Sequence, residues 1–199
     1  MNRSVLYGVL CWVFLFSSCV TDPILQELPS SSERISQKGY SFIPLRGEGW
    51  VIGTPNPDQL TLSKRGESPD EVFAIQGLLV KLPPFASTEE LALFVKDSQT
   101  KGTDLERFKM IKHDVSAQHQ KGTACARSYA LSEDLAPVWQ SERVGNLFFE
   151  TLTITCAHPR NQRIGVNVSY SHRSYAEHRD PQFVEKASRL LQSIEFNDL

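Results

Sequence analysis

Apolar residues follow three rhythms along this chain, and each rhythm predicts a different element. Residues 5–16 are almost wholly apolar, broken only by Gly8, with no polar stripe on any side. Farther on, short runs rich in Val, Ile, Thr and Phe, punctuated by Gly or Pro, predict strands at 40–45, 50–53, 59–64, 71–82, 108–117, 123–131, 145–157 and 164–172. Two segments carry apolar residues at helical spacing instead. Ser87-Thr88-Glu89-Glu90 fits a capping box, and Leu91, Phe94 and Val95 follow it up to Gly102. Asp180 and Pro181 place a cap and a first-turn proline before Phe183, Val184, Ala187, Leu190, Leu191 and Ile194. Consecutive strands with short turns pair antiparallel, and helices must bury their stripes on a sheet face. The predicted class is α+β, an antiparallel sheet of about six to eight strands with two packed helices.

The pattern also sets a register. A turn over 159–163 pairs His158 with Ile164, Cys156 with Val166, Ile154 with Val168, Leu152 with Tyr170 and Glu150 with His172. Apolar residues then meet apolar residues along the ladder, as a one-sided core requires. If Cys125 faces Cys156, Tyr129 lies opposite Leu152. Residues 145–149 then overrun the partner strand, which predicts a bulge.

The first rhythm is not a membrane span. About a dozen apolar residues are too few for a ~30 Å hydrocarbon core, which takes roughly 20. With Arg3 in front and small residues behind, the segment has the form of a secretory signal peptide. Its end, Phe16-Ser17-Ser18-Cys19, resembles the lipobox of bacterial lipoproteins. In that family the cysteine receives a diacylglyceryl group and becomes the N-terminus after cleavage. The resemblance implies a signal peptide over 1–18, an acylated Cys19, and a domain tethered to a bacterial membrane and facing the periplasm or exterior. Ordinary cleavage just after Cys19 is the alternative. Residues 20–38 are rich in Pro, Ser and charge and lack an apolar period, so 19–38 reads as the acylated cysteine and a flexible linker. Residues 39–199 are then one globular domain. Within the linker, the apolar Ile24, Leu25 and Leu28 are placed to touch the bilayer or the domain.

A formal net charge of −2 argues against nucleic acid as a partner, which calls for a basic face. No internal repeat is visible. The order of strands, helix, four strands and terminal helix resembles the fold of the photosystem extrinsic protein PsbP and its relatives, over residues 40–196. Cys156-Ala157-His158-Pro159 and Tyr170-Ser171-His172-Arg173 are similar to paired motifs in uncharacterised proteobacterial envelope proteins. Neither resemblance implies an activity or a cofactor.

Of four cysteines, Cys11 lies in the signal and Cys19 in the lipobox, which leaves Cys125 and Cys156 to form a disulfide. Redox chemistry would call for a Cys-x-x-Cys pair or a thiol at a helix start, and neither occurs. His158 and His172 stand about 25 Å apart along the sheet, too far to share a metal ion. No motif of metal spacing joins His172 to His178, and no metal is expected. Glu150 beside His172 makes half of a catalytic triad, but Ser169 and Ser171 point to the opposite face and no nucleophile elbow is present. The pair is expected as a solvated contact at a sheet end, with an envelope enzyme or small-ligand binder at that end as the alternative function. Trp139, in the long connection 135–145, is the expected contact for an envelope protein partner. The sequence therefore reads as a membrane-anchored, non-enzymatic binding or structural module.

Overall fold

The computed structural model describes residues 26–28, 33–53, 59–136 and 145–199. In chain order the strands are β1 (Gln26–Glu27), β2 (Ile35–Gln37), β3 (Tyr40–Phe42), β4 (Val51–Ile52), β5 (Gln59–Arg65) and β6 (Val72–Lys81). Helix α1 (Thr88–Gly102) follows. Then come β7 (Phe108–Gln120), β8 (Thr123–Asp134), β9 (Leu147–His158) and β10 (Asn161–Tyr175), helix α2 (Phe183–Gln192) and β11 (Glu195–Phe196). Among the described residues, eight strands form one antiparallel sheet in the order β1-β4-β5-β6-β10-β9-β8-β7. The α+β class is as the sequence predicts.

A second sheet, β11-β3-β2, was not predicted. The expected strand at 40–45 belongs to it rather than to the main sheet, because Tyr40 pairs with Phe196 and Ser41 with Glu195. Its apolar face closes over the main sheet. A Cβ on Gly77 would lie only 2.7 Å from the Tyr40 ring, so only glycine admits that close approach.

The folded domain also begins earlier than residue 39. β1 pairs with β4, β2 pairs with β3, and Arg34 donates to the Ser193 carbonyl at 2.8 Å. The polar composition of 33–38 hid these pairings, because β2 contributes mainly backbone hydrogen bonds to a small sheet.

The two helices cover opposite faces. On the α2 face, Phe183, Ala187, Leu190, Leu191 and Ile194 are buried against Ile75, Leu152, Ile154, Val168 and Tyr170. Val184, expected in the same stripe, points to solvent at 47 % exposure. Helix α2 starts at Phe183, two residues later than Pro181 suggests. Asp180 instead makes a turn, accepting from the Gln182 N–H at its side chain and from the Phe183 N–H at its carbonyl. On the other face α1 buries Leu91, Ala92 and Val95 over Ala126 and Ala157. Its cap is the expected one, with Ser87 Oγ accepting from the Glu90 N–H at 3.2 Å.

The ladder is confirmed from Cys156–Val166 to Glu150–His172, and Tyr129 faces Leu152. His158 faces Asn161 rather than Ile164, because a bulge lies between Asn161 and Gly165. The bulge expected between β8 and β9 is absent. β8 continues to Asp134, which faces Leu147, so β9 does not overrun it. Cys125 and Cys156 are register partners with Cα atoms 4.0 Å apart and form the disulfide. The turn joining β7 to β8 has positive φ at both Lys121 (52°) and Gly122 (79°), the twist a two-residue hairpin requires.

Candidate functional site

The expected Glu150–His172 contact is not solvated. Both residues are register partners on the α2 face, and both are buried. Arg179, just before α2, and Tyr129 on β8 close over Glu150 from either side. Tyr129 Oη donates to Glu150 Oε1 at 2.6 Å, and Arg179 Nη2 donates to Oε2 at 3.1 Å. Burial, then the bond to Glu150, pushes the Tyr129 phenol up to about 12. The carboxylate is thus held by a phenol and a guanidinium and does not orient the imidazole.

His172 stacks on Phe73 instead, with ring centroids 3.8 Å apart and planes 6° from parallel. Its Nδ1 has no hydrogen-bond partner among the described residues. Burial holds its pKa below the usual value, against the pull of the Asp180, Glu71 and Glu150 carboxylates. A catalytic imidazole works through a nucleophile or reacting proton within hydrogen-bond reach. This ring lies against an apolar one.

Sequence reasoning missed the neighbouring charged centres, which long-range contacts assemble. Glu71, just before β6, accepts from the Glu67 and Ser68 N–H groups and contacts His178 Nδ1 at 2.6 Å. Burial works to raise its pKa, but the bonds from His178, Tyr175 and Ser68 prevail and hold it low. Asp134 is gripped by Arg107 through two bonds of 3.0 Å, with Arg173 at 3.5 Å. These groups close the end of the sheet around its charges. Among the described residues, no group of three or more His, Cys, Asp and Glu could hold a metal ion.

The open site lies alongside. A cavity of about 580 Å³ sits between α2, the 43–50 loop and the sheet surface of β5, β6 and β10. Its floor is apolar, made by Leu45, Trp50, Phe73 and Leu190. Four cations surround the floor: Arg46 from the loop, Lys64 from β5, and Lys186 and Arg189 from α2. Among the described residues, no carboxylate lines it. Lys186 bonds Asp180 at 2.7 Å, and Arg189 lies 3.7 Å from Glu185 on the outer face of α2. The loop is pinned to the end of the helix, since the Ile43 N–H donates to Ser193 Oγ at 2.9 Å. A faint signal was legible in the sequence, because Lys186 and Arg189 are spaced to share one side of a helix. Arg46 and Lys64 carried none, since only the tertiary fold brings them there.

Cys19 and the lipobox lie outside the described residues, as does Trp139. Among the described residues, no helix is long and apolar enough to cross a membrane.

No family model matches the chain, and no curated protein sequence does. Among solved structures, the chain is similar to the solution structure of cyanobacterial PsbP (CyanoP) from Synechocystis sp. PCC 6803, at 13 % identity and a TM-score of 0.49. That alignment covers 92 % of this chain and 99 % of the other. It is also similar to a point mutant of the protein Mog1, at 13 % identity and a TM-score of 0.47, over 83 % of this chain and 96 % of that one. The likeness is one of overall architecture.

Proposed function

We propose that this protein is an envelope lipoprotein, anchored through an acylated Cys19, whose single domain binds a ligand or partner without chemically altering it. The observation that carries the reading is the Cys125–Cys156 disulfide, a cross-link between register partners that persists in oxidising compartments beyond the cytoplasmic membrane. The lipobox-like Phe16-Ser17-Ser18-Cys19 supports the tether, and two or more acyl chains anchor a protein firmly. The cation-ringed cavity supports binding, because it joins an apolar floor to convergent polar groups. Contact with an envelope protein near Trp139 belongs to the same reading. Labelled fatty acid supplied to bacteria expressing the full chain should enter the parent protein and not the Cys19→Ser variant. Equal labelling of both would refute the anchor.

A further inference from the structure

We infer that the cavity between α2 and the 43–50 loop is a binding site for an anionic amphiphile, a phosphate or carboxylate head joined to an apolar group. The inference deepens the reading of the domain as a binding module, and of its three supports only the third, position, draws on acylation of Cys19. Three observations carry it. The first is the charge around the cavity, where, among the described residues, four cations and no carboxylate line one opening. Asp180 offsets Lys186 and Glu185 lies beside Arg189 outside the opening, so an anion seated within it would add a partner facing the inner side of these groups. Lys64 is half-buried and no acidic partner faces it among the described residues, so its charge remains available.

The second observation is the floor. A site for a bare inorganic anion is polar throughout, whereas this one is paved by Trp50, Phe73 and Leu190, with Ile43 39 % exposed at its edge. Cations above an apolar floor match a ligand with a charged head and an apolar body. About 580 Å³ also falls within the usual range for small-molecule sites.

The third is position. The Leu28 N–H donates to the carbonyl of Trp50 at 2.8 Å, so the chain arriving from the N-terminus joins the domain at the cavity wall. Cys19 is seven residues before Gln26, a separation that spans at most about 25 Å. A tether at Cys19 would therefore keep this cavity close to a bilayer, where anionic amphiphiles are concentrated.

The test is calorimetric titration of the mature full-length chain with dihexanoylphosphatidylglycerol, held below its micellar concentration. Dihexanoylphosphatidylcholine and inorganic phosphate form the other two arms. Saturable binding of the glycerol lipid is expected, with about tenfold weaker binding of each comparison ligand, the equivalent of one charge-assisted contact. Lys64→Gln combined with Arg189→Gln should weaken it by at least about tenfold at unchanged melting temperature. Ile43→Asp, which puts a negative charge at the edge, should do the same. Equal binding of the two lipids, equal binding of phosphate alone, or full affinity in both variants would overturn the inference. Vesicles of phosphatidylglycerol that compete for the site would identify a bilayer lipid as the ligand. Lack of competition alongside binding of the short-chain lipid would identify a dispersed amphiphile. Failure of the anchor alone would abolish acyl labelling and leave the short-chain titration intact, so the two failures are distinguishable.

Discussion

The two faces of the large sheet are built from the same strands, yet they hold their helices by different means. Under α2 the alternate residues of β9 and β10 are large, with Leu152, Ile154, Val166, Val168 and Tyr170 meeting Phe183, Leu190 and Leu191. Under α1 the intervening residues are small or hydroxylated, with Ala126, Ser128, Thr153, Thr155 and Ala157 buried there. Helix α1 adds a polar link, since Gln99 Nε2 donates to Ser128 Oγ at 2.8 Å while its Oε1 lies 2.9 Å from His113 Nε2. Burial of apolar area stabilises in proportion to that area and tolerates small shifts. A hydrogen bond contributes less but fixes one orientation. The α2 face is thus expected to carry most of the stability, and the α1 face to carry registration.

The largest effect should come from the α2 face. Phe183 stacks on Tyr170 with centroids 5.1 Å apart and is fully buried, so Phe183→Ala should cost about 3–5 kcal/mol in denaturant unfolding. A loss under about 1 kcal/mol would show that α2 is only loosely docked.

Next comes the disulfide, which lies on the same face and closes a loop of 31 residues. Replacing Cys125 and Cys156 together by Ala should cost about 3–4 kcal/mol in the chain-entropy estimate. Free thiols titrated in denatured, unreduced envelope protein would contradict the bond itself.

On the α1 face, Gln99→Leu keeps the apolar contact and removes the amide. Buried Ser128 then loses its partner, and a loss of about 1–2 kcal/mol is expected by thermal melting. A stabilised variant would mean that α1, too, is held by apolar area alone.

Acid should weaken the protein in two steps, and both groups lie at the end of the sheet near α2. His172 has its folded pKa below the ordinary 6.5, so below that pH the unfolded chain takes up a proton that the folded protein resists. Stability therefore falls with pH and levels off below the folded pKa. Glu71 is also depressed, and its stabilisation is present above about 4.5 and lost as pH falls through the folded value. His172→Phe should shrink the first step in melting temperature against pH, leaving the share of His113, whose pKa burial also lowers, and leave the second step intact. A first step unchanged in size would assign it to another group.

The smallest effect belongs to neither face. Lys121 sits at φ 52° in the β7–β8 turn, a conformation that asparagine tolerates better than lysine. Lys121→Asn should raise stability by about 0.5 kcal/mol, and a loss would show the lysine side chain to be engaged.

Much of this architecture was legible because alternation and helical spacing are local properties. The Glu150–His172 and Leu152–Tyr170 pairings followed from one turn and the side-chain period of two, and the Cys125–Cys156 pairing from the two cysteines left outside the signal and lipobox. The cap on α1 followed from four consecutive residues. Burial was misjudged where a distant segment supplies the cover. Glu150 was expected at a wet sheet end, but Arg179 and Tyr129 close over it from elsewhere in the chain. The small sheet escaped notice because β2, β3 and β11 are two or three residues long, and β11 is separated from the other two by most of the sequence.

The same division holds for the candidate site. By itself the sequence determined the α+β class and the ladder of β9 and β10, because each rests on neighbours in the chain or on one period, and the cysteine pairing, because only two cysteines lie beyond the lipobox. Only the tertiary structure decided where charge converges. Arg46 on a loop and Lys64 on a strand lie far in sequence from Lys186 and Arg189 on a helix, and they meet around Trp50 and Phe73 because α2 folds back across the sheet. A charge acts over distance in space and leaves no periodic mark in the sequence, so a cavity ringed by cations becomes visible only once the chain is folded.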